Sequence, residues 1–191
     1  MGKELWFQYD NKDPDDINEI KTRSLELLTN WNGNMMTGSP EPLIYSTWVE
    51  TFIKMLLEDE LSYNSSSFNT VSPLFLEKVL RNYKNAGAWC DIKHSDKIET
   101  CVELSKKSLI KSLRKLKEAY GSNVDNWRWG DERRINHPSF SVNGILIPKF
   151  LQEISSEISG SEHTLNSTKL IDLSTYKAAK GSSFKMIIDF S

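Results

Sequence analysis

The longest regular stretch of the chain, residues 97 to 119, reads KIETCVELSKKSLIKSLRKLKEA. Its apolar residues recur at near-helical spacing and form a narrow seam, which predicts an amphipathic helix: Val102, Leu109, Leu113 and Leu116. Six basic residues occupy its other faces: Lys106, Lys107, Lys111, Arg114, Lys115 and Lys117. Because no aromatic residues are interleaved with these bases for stacking, the pattern favours a solvated helix face over nucleic-acid binding.

Composition narrows the classes of function. The chain has 191 residues, of which 38% are hydrophobic, and this is enough apolar material for a real core. With 24 Lys and Arg against 26 Asp and Glu, the formal net charge is -2, so no overall positive field draws the chain toward nucleic acid or a membrane surface. Its apolar runs reach only about five residues, whereas a membrane-spanning helix needs about 20. We therefore expect neither nucleic acid nor a membrane as a partner.

Three more helices are predicted upstream of this stretch. The first should begin at Asp13 and end near Gly33, the second should follow Pro40 and end near Glu60, and the third should open at Pro73. Their apolar stripes are, in chain order, Ile17, Ile20, Leu27 and Leu28; Ile44, Trp48, Phe52, Met55 and Leu56; and Phe75, Leu76, Val79, Leu80 and Tyr83.

The helical pattern ends at Gly121. Residues 121 to 148 carry prolines, glycines and aromatics without a helical period, which predicts an ordered but irregular segment. A short helix is predicted from about residue 148 to 157, and strands are predicted at 164 to 173 and at 184 to 190. The last of these reads FKMIIDF, the near-continuous apolar pattern of a strand buried on both faces.

The chain therefore divides into two regions of different character. Residues 1–120 form a helical region, and residues 121–191 form a loop and strand segment. The predicted fold class is α+β, mainly helical in the first two-thirds, with strands confined to the final third.

The sequence contains few reactive patterns. The three histidines are His94, His137 and His163, and the loose group Cys90, His94 and Cys101 falls short of the four ligands of a structural zinc site. Buried thiols with a surface histidine are the favoured interpretation, and a metal site and a Cys90 to Cys101 disulfide stay open. No Gly-rich phosphate loop, GxSxG elbow or HExxH motif is present. We predict no catalytic, cofactor-binding or metal-ligating residues and no cofactor.

An ordered series of motif residues runs along almost the whole chain. In sequence order it comprises Gln8 and Asp10; Leu28, Trp31, Asn32 and Gly33; Ser39, Ile44, Tyr45 and Trp48; Tyr120 and Gly121; Trp127, Arg128, Trp129 and Gly130; His137 and Pro138; Gly160, Thr164, Leu165 and Asn166; and Gly181, Ser183, Phe184, Lys185 and Asp189. Each motif alone is weak, but their order and spacing are specific. The series resembles the penicillin acylase (penicillin amidase) family of N-terminal-nucleophile (Ntn) hydrolases.

The resemblance implies that the chain is part of a larger enzyme. Its motifs belong to the later half of the family's catalytic β subunit, whose nucleophile is a serine that autoproteolysis exposes as the first residue, with its own α-amine as base. The implied reaction is hydrolysis of a non-peptide C–N amide bond, in a penicillin, an acyl-homoserine lactone or another acyl amide. Residues 121–191 would then supply an incomplete part of the family's αββα core.

Partners follow from the same resemblance. Because neither Met1 nor Gly2 carries a hydroxyl, we expect the chain alone to be inactive and to require the remainder of the acylase α and β subunits. The apolar strand at 184 to 190 would lack neighbours in an isolated chain, so self-association is also expected. The alternative function is a non-catalytic helical interaction module derived from that scaffold, and a third possibility is an unrelated soluble binding domain.

One motif is deceptive, and two positions depart from the family pattern. Residues 121 to 123 read Gly-Ser-Asn, which resembles the family's processing junction, but they directly precede Trp127, where the family has a helix end and loop. Ser122 is therefore not expected to be a nucleophile. Arg133 stands where the family usually has His, and Lys185 stands where it has Arg, whose bidentate fork a lysine lacks. The chain also stops at Ser191 without the family's following segment, so we expect it to be truncated.

Overall fold

Helices make up the first two-thirds of the described chain, and strands follow residue 133. The computed structural model describes residues 15–61, 71–93, 95–138, 153–161, 164, 169–172 and 177–180. The helices are α1 (Asp15–Asn30), α2 (Glu41–Leu61), α3 (Pro73–Leu80), α4 (Cys101–Tyr120) and α5 (Trp129–Glu132), with 3-10 segments at Tyr83–Cys90 and Val124–Asn126. The strands are β1 (Arg134–Pro138), β2 (Glu153–Glu157), β3 (Lys169–Asp172) and β4 (Lys177–Lys180). The predicted mainly helical first part is confirmed.

Helix α4 begins and ends at residues suited to helix termini. Thr100 caps its start: the Thr100 hydroxyl accepts the Glu103 N–H at 3.2 Å, and the Glu103 carboxylate accepts the Thr100 N–H at 2.9 Å. This reciprocal pair satisfies two N–H groups that the first turn cannot pair internally. At the other end, Gly121 adopts φ +83°, a value that glycine reaches without steric cost, and its N–H donates to Lys117 O at 2.8 Å.

The buried face of α4 differs in part from the predicted seam. Its buried residues are Leu104, Ser108, Leu109, Ser112, Leu113 and Leu116. Val102 is 63% exposed, contrary to the prediction, whereas Leu104 is 1% exposed. Leu104, Ser108 and Ser112 lie four residues apart on one face, and the two serines interrupt the apolar pattern that would otherwise predict this buried row. The Ser112 hydroxyl donates to Leu109 O at 2.7 Å, so its burial leaves no unpaired polar atom.

Two apolar clusters hold the helices together. The first cluster joins α1, α2 and α4 to the segment after α4, and it consists of Ile17, Ile20, Leu43, Ile44, Leu109, Leu113, Leu116, Val124, Trp127 and Trp129. The second cluster lies between the later part of α2, α3 and the start of α4, and it consists of Phe52, Leu56, Val79, Cys90, Ile92 and Leu104. Leu27 and Leu28 of α1 pack against the first cluster, as their spacing predicted.

Helix α3 confirms its predicted start but not its full length. Ser72 caps it with a hydroxyl that accepts a first-turn N–H, and Val79 is fully buried. Leu80 and Tyr83 are exposed rather than packed on the same stripe, so the prediction was wrong for these two residues. The helix ends at Leu80, and Asn82 then turns the chain with φ +50°, which takes Tyr83 off the helical stripe.

The strands correct a second expectation. The short helix predicted from about 148 to 157 is wrong at its end, because Glu153–Glu157 is strand β2. It pairs antiparallel with β1, with Arg134 opposite Glu157 and Pro138 opposite Glu153. Strand pairing with a partner about 20 residues away can outweigh a short local helical pattern.

Strand β3 falls inside the strand predicted at 164 to 173. It pairs antiparallel with β4, a strand that was not predicted from the sequence. The apolar strand predicted at 184 to 190 lies outside the described residues. Among the described helices, none combines the length and apolar character that a bilayer span requires.

The start of α4 gives a pH-dependent prediction. Lys97 Nζ lies 2.8 Å from Glu103 Oε1, and this bond, together with those from Thr100, lowers the pKa of Glu103 from 4.5 to about 2. A depressed folded-state pKa contributes stability that is present above the unfolded pKa and is lost as pH falls through the folded one. We therefore expect Glu103→Gln to flatten the stability profile between about pH 4.5 and 2.

Denaturant titrations across that pH window measure this effect. Glu118→Gln on the same helix is the control, because Glu118 is exposed and takes no part in the capping pair. Equal acid sensitivity of the Glu103→Gln variant and the parent chain would show that the capping pair does not shift the Glu103 titration.

Candidate functional site

The loop between α1 and α2 is the point where separated motif segments meet. Three backbone hydrogen bonds join them: Gly160 N to Met35 O at 2.9 Å, Gly130 N to Thr37 O at 2.8 Å, and Trp129 N to Ser39 O at 3.1 Å. We call the set of residues 31–40, 127–133 and 157–160 the motif hub. Partners about 90 to 125 positions apart in sequence are thus tied together through their main chains.

The Trp-Asn-Gly motif shapes the loop itself. The indole Nε1 of Trp31 donates to Asn34 O at 2.9 Å, and the Asn32 side chain accepts the Asn34 N–H at 2.9 Å. Gly33 adopts φ +84°, a left-handed value that favours glycine. The Trp31 ring lies 5.3 Å from the Tyr45 ring at the start of α2. Each residue of this motif therefore has a structural role in the turn from α1 to α2.

The two tryptophans at 127 and 129 point into the core. Trp127 is fully buried, and its Nε1 donates to Gly121 O at 3.0 Å. Trp129 is also buried, and its Nε1 donates to Gly160 O at 3.1 Å. Arg128 between them faces outward, with Nη2 3.0 Å from Glu157 Oε2. The alternation in Trp-Arg-Trp thus places two aromatic rings in the first cluster and one cation on the surface.

Arg133 is buried beside Trp129, which its sequence position did not predict. Its side chain is fully buried, and the guanidinium carbon lies 5.0 Å from the centroid of the Trp129 ring. Its Nη2 lies 3.5 Å from Gly160 O, and its carbonyl accepts the Ile158 N–H at 2.9 Å. A planar guanidinium can stack on an indole in this way, whereas a lysine cannot. Arg133, one of the two positions that depart from the resembled pattern, therefore lies buried within the motif hub.

Tyr120, the motif residue at the end of α4, forms a hydrogen bond with α5. The Tyr120 hydroxyl donates to Glu132 Oε1. Burial and this bond to a carboxylate raise the pKa of Tyr120 above its usual range. The bond fixes the end of the longest predicted helix against the segment that carries Trp129.

Gly130 lies in the motif hub at a position with no room for a side chain. A Cβ atom there would lie 2.5 Å from Glu157 Oε2 and 3.0 Å from Thr37 Cβ. The Glu157 side chain can move, but Thr37 Cβ is attached to a loop that backbone bonds hold. We expect Gly130→Ala to lower the free energy of unfolding by about 1–3 kcal/mol, measured by urea denaturation.

Gly38 offers a matched control in the same hub. A Cβ there would meet no atom within 4 Å, so Gly38→Ala should change the stability by less than about 0.5 kcal/mol. Equal effects at the two glycines would contradict the close approach at Gly130.

Ser122 lies in a connecting turn. It is exposed, and its neighbour Asn123 uses its side chain to accept the Asp125 N–H at 3.1 Å, which caps the 3-10 segment Val124–Asn126. Gly121 accommodates its positive φ without strain because it lacks a side chain. The Gly-Ser-Asn tripeptide thus links α4 to Trp127 in the structure.

The cysteines form a disulfide, so the favoured reading of two buried thiols was wrong. Cys90 and Cys101 are bonded across a separation of 11 residues, because the 3-10 segment Tyr83–Cys90 brings the chain back to the start of α4. His94 lies outside the described residues. Within the part of the chain that the structure describes, no group of three or more His, Cys, Asp or Glu side chains could hold a metal ion.

Some of the other motif residues lie within the described residues, and the rest lie outside them. His137 and Pro138 lie in β1, opposite Ile154 and Glu153 of β2. Thr164 accepts the Ser161 N–H at 2.8 Å and closes the turn after Gly160. Motif residues outside the described ranges are Gln8, Asp10, Leu165, Asn166, Gly181, Ser183, Phe184, Lys185 and Asp189, and His163 also lies outside them.

A surface groove between α2 and α3 is the other candidate site. It has a volume of about 420 Å³ and an apolar lining that includes Tyr45, Phe52 and Leu76. Its charged groups are Glu77 and Arg81, which form an exposed pair at 3.1 Å. The groove can make apolar contacts, but its lining contains no nucleophile with an adjacent base.

Comparison with known proteins identifies the family. The family model for penicillin amidase matches residues 4–191, which include every segment of the motif hub. No curated protein and no solved structure matches the chain. Because the family match extends over nearly the whole sequence, the chain belongs to the penicillin amidase family.

Proposed function

We propose that this chain is a scaffold part of a penicillin-acylase-type amidohydrolase and that it supports hydrolysis of an acyl amide only together with the remainder of the α and β subunits. The observation that carries the proposal is the motif hub. Two motif segments, 127–133 and 157–160, bond to the loop 31–40 through their main chains, and Trp127 and Trp129 are buried in the first cluster. The family membership supports an acylase-type amidohydrolase.

The chain's own chemistry supports a scaffold role. Acyl transfer requires a nucleophile, a base within reach and donors for the oxyanion in one place. The described motif residues instead make structural bonds: the Trp31, Trp127 and Trp129 indoles all donate to backbone carbonyls. The nucleophile, its amine base and the oxyanion donors are then contributed by another part of the enzyme.

The strand segment would return the chain to the family's αββα core. Within the described residues, strands β1 to β4 form two antiparallel ribbons, β1 with β2 and β3 with β4, and β1 also lies near β4. Two-stranded ribbons are marginal by themselves and gain stability when further strands or helices cover them. We propose that other parts of the acylase α and β subunits supply these neighbours.

Reconstitution tests the proposal. The chain is assayed for hydrolysis of a penicillin and of an acyl-homoserine lactone, first alone and then co-expressed with the reading frame encoded upstream of it. We expect no turnover by the chain alone and turnover by the pair. Trp129→Ala should weaken reconstitution because it disrupts the motif hub, whereas Gly38→Ala should leave it intact. Hydrolysis by the isolated chain that persists in Ser122→Ala would place the active site in this chain and refute the scaffold role.

The Gly121–Ser122 bond receives a separate measurement. We expect intact-mass spectra to show one uncleaved chain after long incubation, because the bond lies in an unstrained turn. A fragment that begins at Ser122 would contradict this expectation.

A non-catalytic interaction module is the second candidate function. The observation that favours it is the apolar groove between α2 and α3, where the ring of Tyr45 and the side chain of Leu80 are partly exposed to solvent. The upstream reading frame discriminates between the two candidates. A frame that encodes a Gly-Ser junction and a nucleophile strand favours the amidohydrolase, and a frame without them favours the module.

A further inference from the structure

The Cys90–Cys101 disulfide closes a loop against the second cluster. Cys90 ends the 3-10 segment after α3 and is fully buried, whereas Cys101 is the first residue of α4 and is partly exposed. Cys101 Sγ also lies 3.7 Å from Val79 O and 3.6 Å from Gly87 O. The bond therefore ties the α3 side of the molecule covalently to the start of α4.

The closed loop, residues 91–100, holds a buried carboxylate. Glu99 is 5% exposed, and its carboxylate accepts the Ile92 N–H at 3.2 Å and the Ser95 hydroxyl at 3.0 Å. Lys107 Nζ lies 3.5 Å from Glu99 Oε1, and Asp91 accepts the Glu99 N–H at 3.1 Å. A buried carboxylate is tolerated only while its donors stay in place, and the disulfide fixes both ends of the loop that supplies two of them.

The segment just before the disulfide adopts unfavourable backbone angles. Asn82, Lys84 and Asn85 have φ of +50°, +52° and +67°. Such left-handed conformations persist only where the surrounding structure enforces them. The Asn82 side chain accepts the Gly87 N–H at 2.9 Å, and Cys90 anchors the end of the same segment in the second cluster. The fold of this side thus depends on a few local bonds and one covalent tie.

We propose that the α3 side of the molecule, residues 73–100, depends on oxidation for its fold, and that the folded protein then shields the Cys90–Cys101 bond from thiol exchange. The chain would acquire this structure in an oxidising compartment, where structural disulfides form and persist. The proposal is independent of the amidohydrolase function.

The shielding follows from the order of bond making and breaking. Because Cys101 is partly exposed and Cys90 is fully buried, we expect a reductant thiolate to attack at Cys101. Attack at Cys101 forms a mixed disulfide and expels Cys90 as a thiolate, which must then take a proton inside an apolar cluster. A second reductant thiolate releases Cys101 as a thiolate, and the reductant leaves as a disulfide after a two-electron transfer. Because the first leaving group is an anion in the core, exchange is slow in the folded state.

Reduction kinetics of the full chain test the shielding. The chain is treated with dithiothreitol in native buffer and in denaturing urea, and free thiols are counted over time by maleimide mass labelling. We expect reduction to be at least about 100-fold slower in native buffer, because Cys90 must leave the core. Similar rates in the two solutions would overturn the shielding.

Hydrogen exchange tests the dependence on oxidation. In Cys90→Ala/Cys101→Ala we expect amides of residues 73–100 to exchange at least about 10-fold faster, with little change at residues 109–116 and 127–130 in the first cluster. Unchanged exchange at residues 73–100, or uniform acceleration across the chain, would overturn the proposal. If the double variant does not fold at all, the local dependence is wrong as well. The parent chain, reduced in urea and returned to native buffer with its thiols alkylated, provides a second sample for the same measurement.

Discussion

Trp129→Ala is expected to lower the free energy of unfolding by about 4 kcal/mol, in the middle of the range of about 3–5 kcal/mol for truncating a buried tryptophan. Trp129 is buried in the first cluster, its Nε1 donates to Gly160 O at 3.1 Å, and its ring carries the Arg133 guanidinium. Truncation therefore removes a large apolar contact, an indole hydrogen bond and a cation–π contact at one position. Urea denaturation followed by circular dichroism measures the change.

A conservative variant separates these contributions. Trp129→Phe keeps an aromatic ring for packing and for Arg133 but removes the N–H donor to Gly160 O. Its cost should be smaller, about 1–2 kcal/mol. A loss below about 1 kcal/mol for Trp129→Ala would mean that this residue is not buried at the centre of the hub.

Local periodicity predicted the helices but not their contacts. Helices α1, α2 and α4 follow from apolar spacing, and their ends follow from the residues at their termini, such as Gly33 and Gly121. The motif hub could not be predicted in the same way. Its principal ties are main-chain hydrogen bonds, for example Gly130 N to Thr37 O, and any residue except proline can supply them.

Two of the wrong predictions, at the buried serines of α4 and at strand β2, share a physical cause. At Ser108 and Ser112, small polar residues occupy the buried row of α4, because each hydroxyl bonds to a carbonyl in its own helix. At β2, pairing with β1 decides the conformation of residues 153–157. In both cases hydrogen bonds decide the structure, and the spacing of apolar residues in the sequence does not indicate them.

The cysteines illustrate a different limit. Two cysteines 11 residues apart can be either free thiols or a disulfide. The sequence alone does not show whether the intervening residues fold back so that the two sulfur atoms meet. The return depends on the left-handed turn at Asn82, Lys84 and Asn85, and lysine is not a residue that marks such a turn. The disulfide can therefore be predicted only when the position of the 3-10 segment Tyr83–Cys90 relative to α4 is known.

The buried cation of the motif hub gives the second large expected effect. Arg133→Ala should lower the free energy of unfolding by about 3 kcal/mol, since it leaves a void under the Trp129 ring and removes a buried donor near Gly160 O. Arg133→Lys keeps the charge but loses the planar group that stacks on the indole, so it should recover only part of that loss. The same urea titration measures both variants.

Arg128 is the matched control for Arg133, because it lies in the same motif segment but on the surface. Its guanidinium pairs with Glu157 at 3.0 Å and with Asp131 at 3.6 Å while 44% of the side chain stays exposed. Exposed ion pairs contribute little to stability, so Arg128→Ala should lower the free energy of unfolding by less than about 1 kcal/mol.

A double-mutant cycle between Arg133→Ala and Trp129→Phe should show coupling below about 0.5 kcal/mol if phenylalanine preserves the cation–π contact, and larger coupling if the indole is specifically required. Equal losses for Arg133→Ala and Arg128→Ala would show that Arg133 is not a core residue, and the hub would then be held by Trp129 and the backbone bonds alone.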